Sequence, residues 1–204
     1  MKKVIIIGHG ISAFKNKNGK KIDTFDEVYR FINAKNYKET EKYVGKKTTH
    51  FIVKKKHKIN IDNGITTNKI LGIKKKIKRS RRAGIKILYA NGCFNLNKSN
   101  EEESLENIPE KYVNMFSLDK LKSPFKPRSG LKLLFMLLNT NKQVTLCGFD
   151  VFGLNEEDDD DLEYGNGLQH YWDIQHKKGI YLHDPHIESK IIIQLIKEKK
   201  VVLL

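Results

Sequence analysis

Four consecutive β-branched residues, Val4-Ile5-Ile6-Ile7, run straight into Gly8-His9-Gly10-Ile11-Ser12. A short apolar run without polar alternation is a strand buried on both faces, as in parallel sheets covered by helices. The strand is expected over Lys3 to Ile7, closed by glycine. A glycine turn leaving the carboxyl end of such a strand is where α/β sheets place a phosphate or nucleotide. Strand patterns recur at Phe25 to Phe31, Thr49 to Val53, Ile85 to Tyr89, Val144 to Phe149 and Val201 to Leu204. Between them, Ile70 to Arg82 predicts a basic helix ending near Gly84, and Pro109 opens a helix running toward Leu121. Leu131 to Leu138 is apolar nearly all round, the mark of a buried helix, and Ile187 to Lys199 is amphipathic at helical spacing. Strands alternating with helices predict an α/β fold: one Rossmann-like, mainly parallel sheet flanked by helices, in a single domain over residues 1–204.

Composition supports a real core, with 39% hydrophobic residues in a chain of 204. No apolar run approaches the roughly 20 residues of a bilayer span. Met1-Lys2-Lys3 and the apolar residues after it imitate a signal peptide, but glycine interrupts them too early. The expectation is a soluble protein without signal peptide or membrane anchor. Only Cys93 and Cys147 are present, so disulfides are not what holds the chain together, and two buried free thiols are expected. The net charge of +15 invites an anionic partner. Abundant Lys, Ile and Asn are also what an AT-rich genome gives without selection for binding. The charge is uneven: between Asp62 and Glu101 there is no acidic residue, while Glu156 to Asp161 is an unbroken acidic run. Nucleic-acid binding through Lys54-Lys55-Lys56 and Lys74 to Arg82 is disfavoured, because few aromatics interleave with these cations.

Three segments carry groups suited to chemistry. The Gly8-His9-Gly10-Ile11-Ser12 turn offers backbone N–H groups to an anion, with the Ser12 hydroxyl as a further donor. The same glycines equally suit a plain strand-to-helix turn. In Pro127-Arg128-Ser129-Gly130, Ser129 either caps the helix that follows or hydrogen-bonds a ligand at its positive end. Near the C-terminus stand His170-Tyr171-Trp172-Asp173 and His183-Asp184-Pro185-His186-Ile187-Glu188. Histidines titrate near neutrality and suit acid–base work or a phosphate contact. Such a His/Asp/Glu cluster equally suits a metal, although neither an H-E-x-x-H motif nor paired Cys ligands accompany it. Asp150, after the strand Val144 to Phe149, reads as a strand-end residue.

In order along the chain, these pieces resemble the sialyltransferases that carry sialylmotifs. Ile5 to Ser12, Gly19 to Arg30 and Val44 to His50 are similar to the large sialylmotif. Pro127-Arg128-Ser129-Gly130 through Gly148-Phe149 is similar to the small one. His170-Tyr171-Trp172-Asp173 resembles motif III, and His183 with Glu188 resembles the very small motif. Residues 54 to 120 have no clear match.

The resemblance implies a GT-A-type variant of the Rossmann-like fold and an inverting, metal-independent transferase. Such an enzyme moves sialic acid from CMP-sialic acid to a hydroxyl of a glycan acceptor, galactose-containing by the same likeness, with no further cofactor. By it, Gly8, His9, Gly10, Ser12 and Asn33 face the CMP phosphate and ribose, and Ser129 and Gly130 hold the nucleotide. His183 is the base for the acceptor hydroxyl, and His170 binds the donor phosphate and helps CMP leave. Tyr171, Trp172 and Glu188 complete the substrate-binding set, and the acidic run is the lid over the donor. Several features depart from the pattern, and Asn33 is reached only with one inserted residue after Arg30. His9 stands where the family has asparagine, Arg128 replaces a small hydroxyl residue, and Cys147 lacks its bridging partner near the first strand. His9, Arg128 and the short middle of the chain raise the alternative of a catalytically degenerate CMP-sugar-binding protein.

Overall fold

The computed structural model describes residues 2–31, 40–54, 63–64, 67–90, 110–120, 127–140, 143–151 and 185–204. Its frame is β1 (Val4–Ile7), α1 (Gly19–Ile22), β2 (Glu27–Phe31), α2 (Glu41–Val44), β3 (His50–Lys54), α3 (Asn68–Arg82) and β4 (Lys86–Ala90). It continues with α4 (Glu110–Met115), α5 (Ser129–Asn139), β5 (Val144–Cys147), α6 (Pro185–Lys197) and β6 (Val201–Leu203). The six strands form one sheet in the order β4-β3-β2-β1-β5-β6, and every pairing is parallel. Strand order therefore reverses beside β1, whose neighbours are β2 on one side and β5 on the other. The carboxyl ends of β1 and β5 are therefore a topological switch point, the place where α/β sheets characteristically have a ligand-binding crevice.

The period of two along each strand sorts the core into two layers. Val4, Ile6, Tyr29, Ile52, Val144 and Leu146 face the layer built by α4, α5 and α6. Ile5, Ile7, Val28 and Cys147 face Ile22 of α1 and Val44 of α2, while Phe51 and Val53 face Ile73 and Ile77 of α3. Helix α5 is buried on most of its circumference, as its apolar sequence predicts: Leu131, Leu133, Leu134, Phe135, Leu137 and Leu138 are all inside. Phe135 stacks on Tyr112 of α4 at 4.7 Å between ring centroids.

Several boundaries differ from expectation, each for a local reason. The helix expected from Pro109 toward Leu121 stops at Met115, because Ser117 takes a left-handed φ of 49° before a single 3-10 turn, Leu118–Lys120. The strand expected to reach Phe149 ends at Cys147, because Gly148 adopts φ 69° and swings the chain out of the sheet. The C-terminal helix begins at Pro185, where proline's fixed φ suits a first turn, and it ends at Lys197, with Lys199 at φ 56°. The one-turn helices α1 and α2 have no counterpart in the sequence reading. Among the described residues no helix is long and apolar enough to cross a membrane.

Gly19, Arg30 and Gly45, together with Thr49, belong to segments through which the chain resembles the large sialylmotif, and they build a structural joint. Gly19 lies so close to α2 that a Cβ would stand 2.0 Å from the Glu41 carbonyl oxygen. Arg30 is 2% exposed and donates to the carbonyls of Val44, Gly45 and Lys47. Asp23 Oδ1 accepts from the amides of Lys46 and Lys47 at 2.9 and 2.7 Å, and Thr49 Oγ1 accepts from the Val28 amide at 2.8 Å. These residues fix the α1–α2 corner against β2 and β3 and so hold the switch point's flank.

Candidate functional site

Three segments converge at the switch point: the turn after β1, the turn after β5, and the amino end of α5. Gly8 N–H donates to the Cys147 carbonyl at 2.7 Å and Gly10 N–H to the Gly148 carbonyl at 2.8 Å. The two turns thus zip together beyond the last strand residues. The contact is so close that a Cβ on Gly8 would stand 2.2 Å from the Gly148 oxygen, which requires glycine there. The Phe149 ring is wedged between the turn and α5: Cβ atoms built on Gly8 and Gly130 would each lie 2.9 Å from it. Phe31, at the end of β2, closes the same corner and meets the His9 ring edge-on, with centroids 5.4 Å apart.

Among the described residues, Asp150 brings a carboxylate to this corner. Its carboxylate accepts from the amides of Ile11 and Ser12 at 3.3 and 3.1 Å, at the start of the 3-10 turn Ile11–Phe14. Gly10 makes that possible, because a Cβ there would stand 2.3 to 2.5 Å from the Asp150 carboxyl atoms. The amides of Gly8, Gly10, Ile11 and Ser12 therefore all have acceptors within the protein. The Ser12 hydroxyl does not: its oxygen is buried and has no hydrogen-bond partner among the described residues. The first-turn amides of α5 (Ser129, Gly130 and Leu131) are donors that a helix leaves without internal partners. Among the described residues, the amino end of α5 thus offers donors to an anion, and the Ser12 hydroxyl, buried in the turn, is a further donor without a partner.

Ser129 does not cap α5. It is the first helical residue, Arg128 occupies the capping position in extended conformation, and no side chain caps it. Glu188 of α6 instead binds the capping residue itself: its carboxylate accepts from the Arg128 amide at 2.6 Å and from Arg128 Nε. Glu188 is 2% exposed, so this ion pair is buried on its acidic side and half-open on its basic side. Arg128, in place of a small hydroxyl residue, supplies the counter-charge that an inward-facing glutamate needs. The free Cys147 is buried beneath the Gly8 turn, and burial pushes its thiol up to about 11, the nearby Arg30 opposing the shift only in part.

Of the residues singled out in the sequence, the crevice brings together Gly8, His9, Gly10, Ser12 and Gly130 around Phe149, with Ser129 at the amino end of α5. Glu188 is bound up with Arg128. Asn33, His170, Tyr171, Trp172 and His183, with the acidic run Glu156 to Asp161 and Cys93, lie outside the described residues. Among the described residues no three His, Cys, Asp or Glu side chains are grouped to hold a metal ion. Sequence reasoning reads Asp150 as a strand-end residue and Phe149 as the last residue of its strand, and gives neither a place in the site. The available signal was their place just after a central strand, where α/β sites cluster.

The sequence matches no protein-family model and no curated protein. Solved structures do share the fold. A mammalian sialyltransferase superposes with a TM-score of 0.59 at 16% identity, covering 100% of this chain and 68% of that one. A mammalian sialyltransferase in complex with Gal-beta-1-3GalNAc-ortho-nitrophenol superposes with a TM-score of 0.55 at 15% identity, covering 100% of this chain and 69% of that one. The fold of this chain is sialyltransferase-like.

Proposed function

We propose that the protein is a glycosyltransferase of the sialyltransferase type, transferring sialic acid from CMP-sialic acid to a hydroxyl of a galactose-containing glycan. The observation that carries this reading is the meeting at one switch point of the Gly8–Ser12 turn, the end of β5 and the amino end of α5. These are segments through which the chain resembles the large and small sialylmotifs, and they meet in a sialyltransferase-like fold. The finer assignment to a GT-A-type variant rests on the resemblance alone.

In this reading the donor's phosphate lies at the amino end of α5, against the first-turn amides and the Ser12 hydroxyl. The turn's own amides already have acceptors. A helix amino end stabilises the charge that builds on CMP as it departs. Asn33 contributes to ribose and phosphate binding, and Tyr171 and Trp172 to the substrate surface. His170 binds the phosphate and assists departure. His183 takes the proton from the acceptor hydroxyl as its oxygen attacks the anomeric carbon on the face opposite CMP, which inverts that carbon. No metal is required in this scheme, since helix and hydroxyl donors meet the phosphate.

Calorimetric titration with CMP, with UMP as control and EDTA present, tests the site. CMP binding that weakens about tenfold in Ser12→Ala is expected, the loss of one hydrogen bond to a charged group. No binding of CMP sinks the reading. A second reading, a CMP-sugar-binding protein without transfer, is favoured by one observation: Asp150 places a carboxylate on the turn amides that an anion would otherwise use. Release of CMP from CMP-sialic acid by the purified protein, abolished in His183→Ala with binding retained, rules that second reading out.

A further inference from the structure

Helix α3 divides along its length into two opposite faces. Ile70, Ile73, Ile77 and Ser80 are buried, and Ile73 and Ile77 pack on Phe51 and Val53 of β3. Leu71, Lys74, Lys75, Lys78, Arg79 and Arg82 are exposed. At 100° per residue these six fall within an arc of about 140°, centred opposite the buried stripe. None of the five cations has an ion-pair partner among the described residues. Lys76 belongs to neither face, being packed over the Phe51 ring at 4.9 Å. Arg81, at the margin, donates to the Tyr89 hydroxyl at 3.3 Å. No acidic residue lies between Asp62 and Glu101 to offset this charge. Cations in the last turn do favour the helix dipole, but that accounts only for Arg79, Arg81 and Arg82. Lys74, Lys75 and Lys78 lie too far from the helix end for it.

We propose that this outer face of α3 docks the protein on an anionic lipid surface. The face carries its cations over a length of about 12 Å, so it presents them together to a plane of negative headgroups. Leu71 is 37% exposed and sits on the same side as the cations, one turn ahead of Lys74 and Lys75. An apolar group among cations gains from an interface between headgroups and acyl chains and gains nothing from a phosphate backbone. A nucleic acid fits less well, because the described face carries no exposed aromatic residue on which a base could stack. The surface lies on the β3–β4 flank, away from the β1–β5 crevice, so docking is independent of the transferase reading.

The test is co-sedimentation with vesicles of phosphatidylcholine alone and of phosphatidylcholine with about one third phosphatidylserine. Binding to the anionic vesicles only, weakened by added salt, is expected. The triple variant Lys74→Glu, Lys78→Glu and Arg82→Glu should lose more than about tenfold of that binding. Lys120→Glu, Lys190→Glu and Lys197→Glu changes net charge equally on other elements and should keep most of it. Circular-dichroism melting checks that both variants fold. Equal loss in both variants, or no binding by the parent protein, overturns the proposal. Tight, steeply salt-dependent binding of double-stranded DNA by the parent protein without vesicle binding overturns it in favour of a nucleic-acid partner.

Discussion

Two backbone amides end on one carboxylate in the crevice, and the consequences of removing it can be read from geometry. Asp150→Ala leaves the Ile11 and Ser12 N–H groups without acceptors in a half-buried turn. The expected loss is about 1–3 kcal/mol in urea unfolding, with Asp150→Asn recovering part of it because one carbonyl oxygen remains. Unchanged stability in the alanine variant would show that water replaces the carboxylate at no cost. Gly10→Ala drives a methyl group into the same carboxyl atoms and should cost about 1–3 kcal/mol. In the double variant Gly10→Ala, Asp150→Ala the two penalties should add to less than their sum, since the clash has gone. Glu188→Gln keeps the shape but removes the charge facing Arg128, and a loss of about 2–4 kcal/mol is expected because one partner of the pair remains near the interior. None of these contacts was legible in the sequence. Asp150 meets residues 138 and 139 positions away, and Glu188 meets a residue 60 positions away. A lone acid after a strand carries no signal of such a partner.

At the scale of elements, legibility followed length and periodicity. The strands around Val4–Ile7, His50–Lys54 and Val144–Cys147 are visible as short, largely β-branched apolar runs, α5 as a longer apolar run, and α3 and α6 by apolar residues at a period of 3.6. The one-turn helices α1 and α2 are too short to show a period, and tertiary bonds hold them instead: the Asp23 carboxylate on Lys46 and Lys47, and Arg30 on the carbonyls after α2. Helix α3 shows its own limit in Gly72, an exposed glycine in mid-helix around which an added Cβ meets nothing within 4 Å. Gly72→Ala should therefore stabilise the protein by about 0.5–1 kcal/mol, through lower chain entropy in the unfolded state. A rise in the thermal midpoint is the expected result, and a fall would mean that the helix outer face is in contact with something. Gly84, at φ 73°, is the opposite case, where the same substitution must strain the turn into β4.

For the molecule as a whole, the alternation of strands and helices foretold a parallel sheet, whereas the reversal of strand order beside β1 came only with the structure. That reversal sets Cys147 on a central strand between β1 and β6, under the turn that roofs the crevice. A buried thiol there makes global stability depend on alkaline pH. In the unfolded chain the thiol ionises near its ordinary value of 9.0, and in the folded chain burial holds it protonated up to about 11. Between those values the folded state binds the extra proton, so stability falls as pH rises. The stability present below about pH 9 should be lost by about 2–3 kcal/mol on passing through pH 11, two pH units at 1.36 kcal/mol each. Lys76 is also shifted, downward, by burial and the charge of Arg30, so the parent protein alone does not isolate the thiol. The difference between parent and Cys147→Ala in urea unfolding does, because the lysine contributes alike to both. Curves for the two proteins that stay a constant distance apart from pH 8 to pH 11 would refute a buried thiol. Curves that converge as pH rises would place the Cys147 side chain in the core that holds β1 and β5 together, and with it the crevice between them.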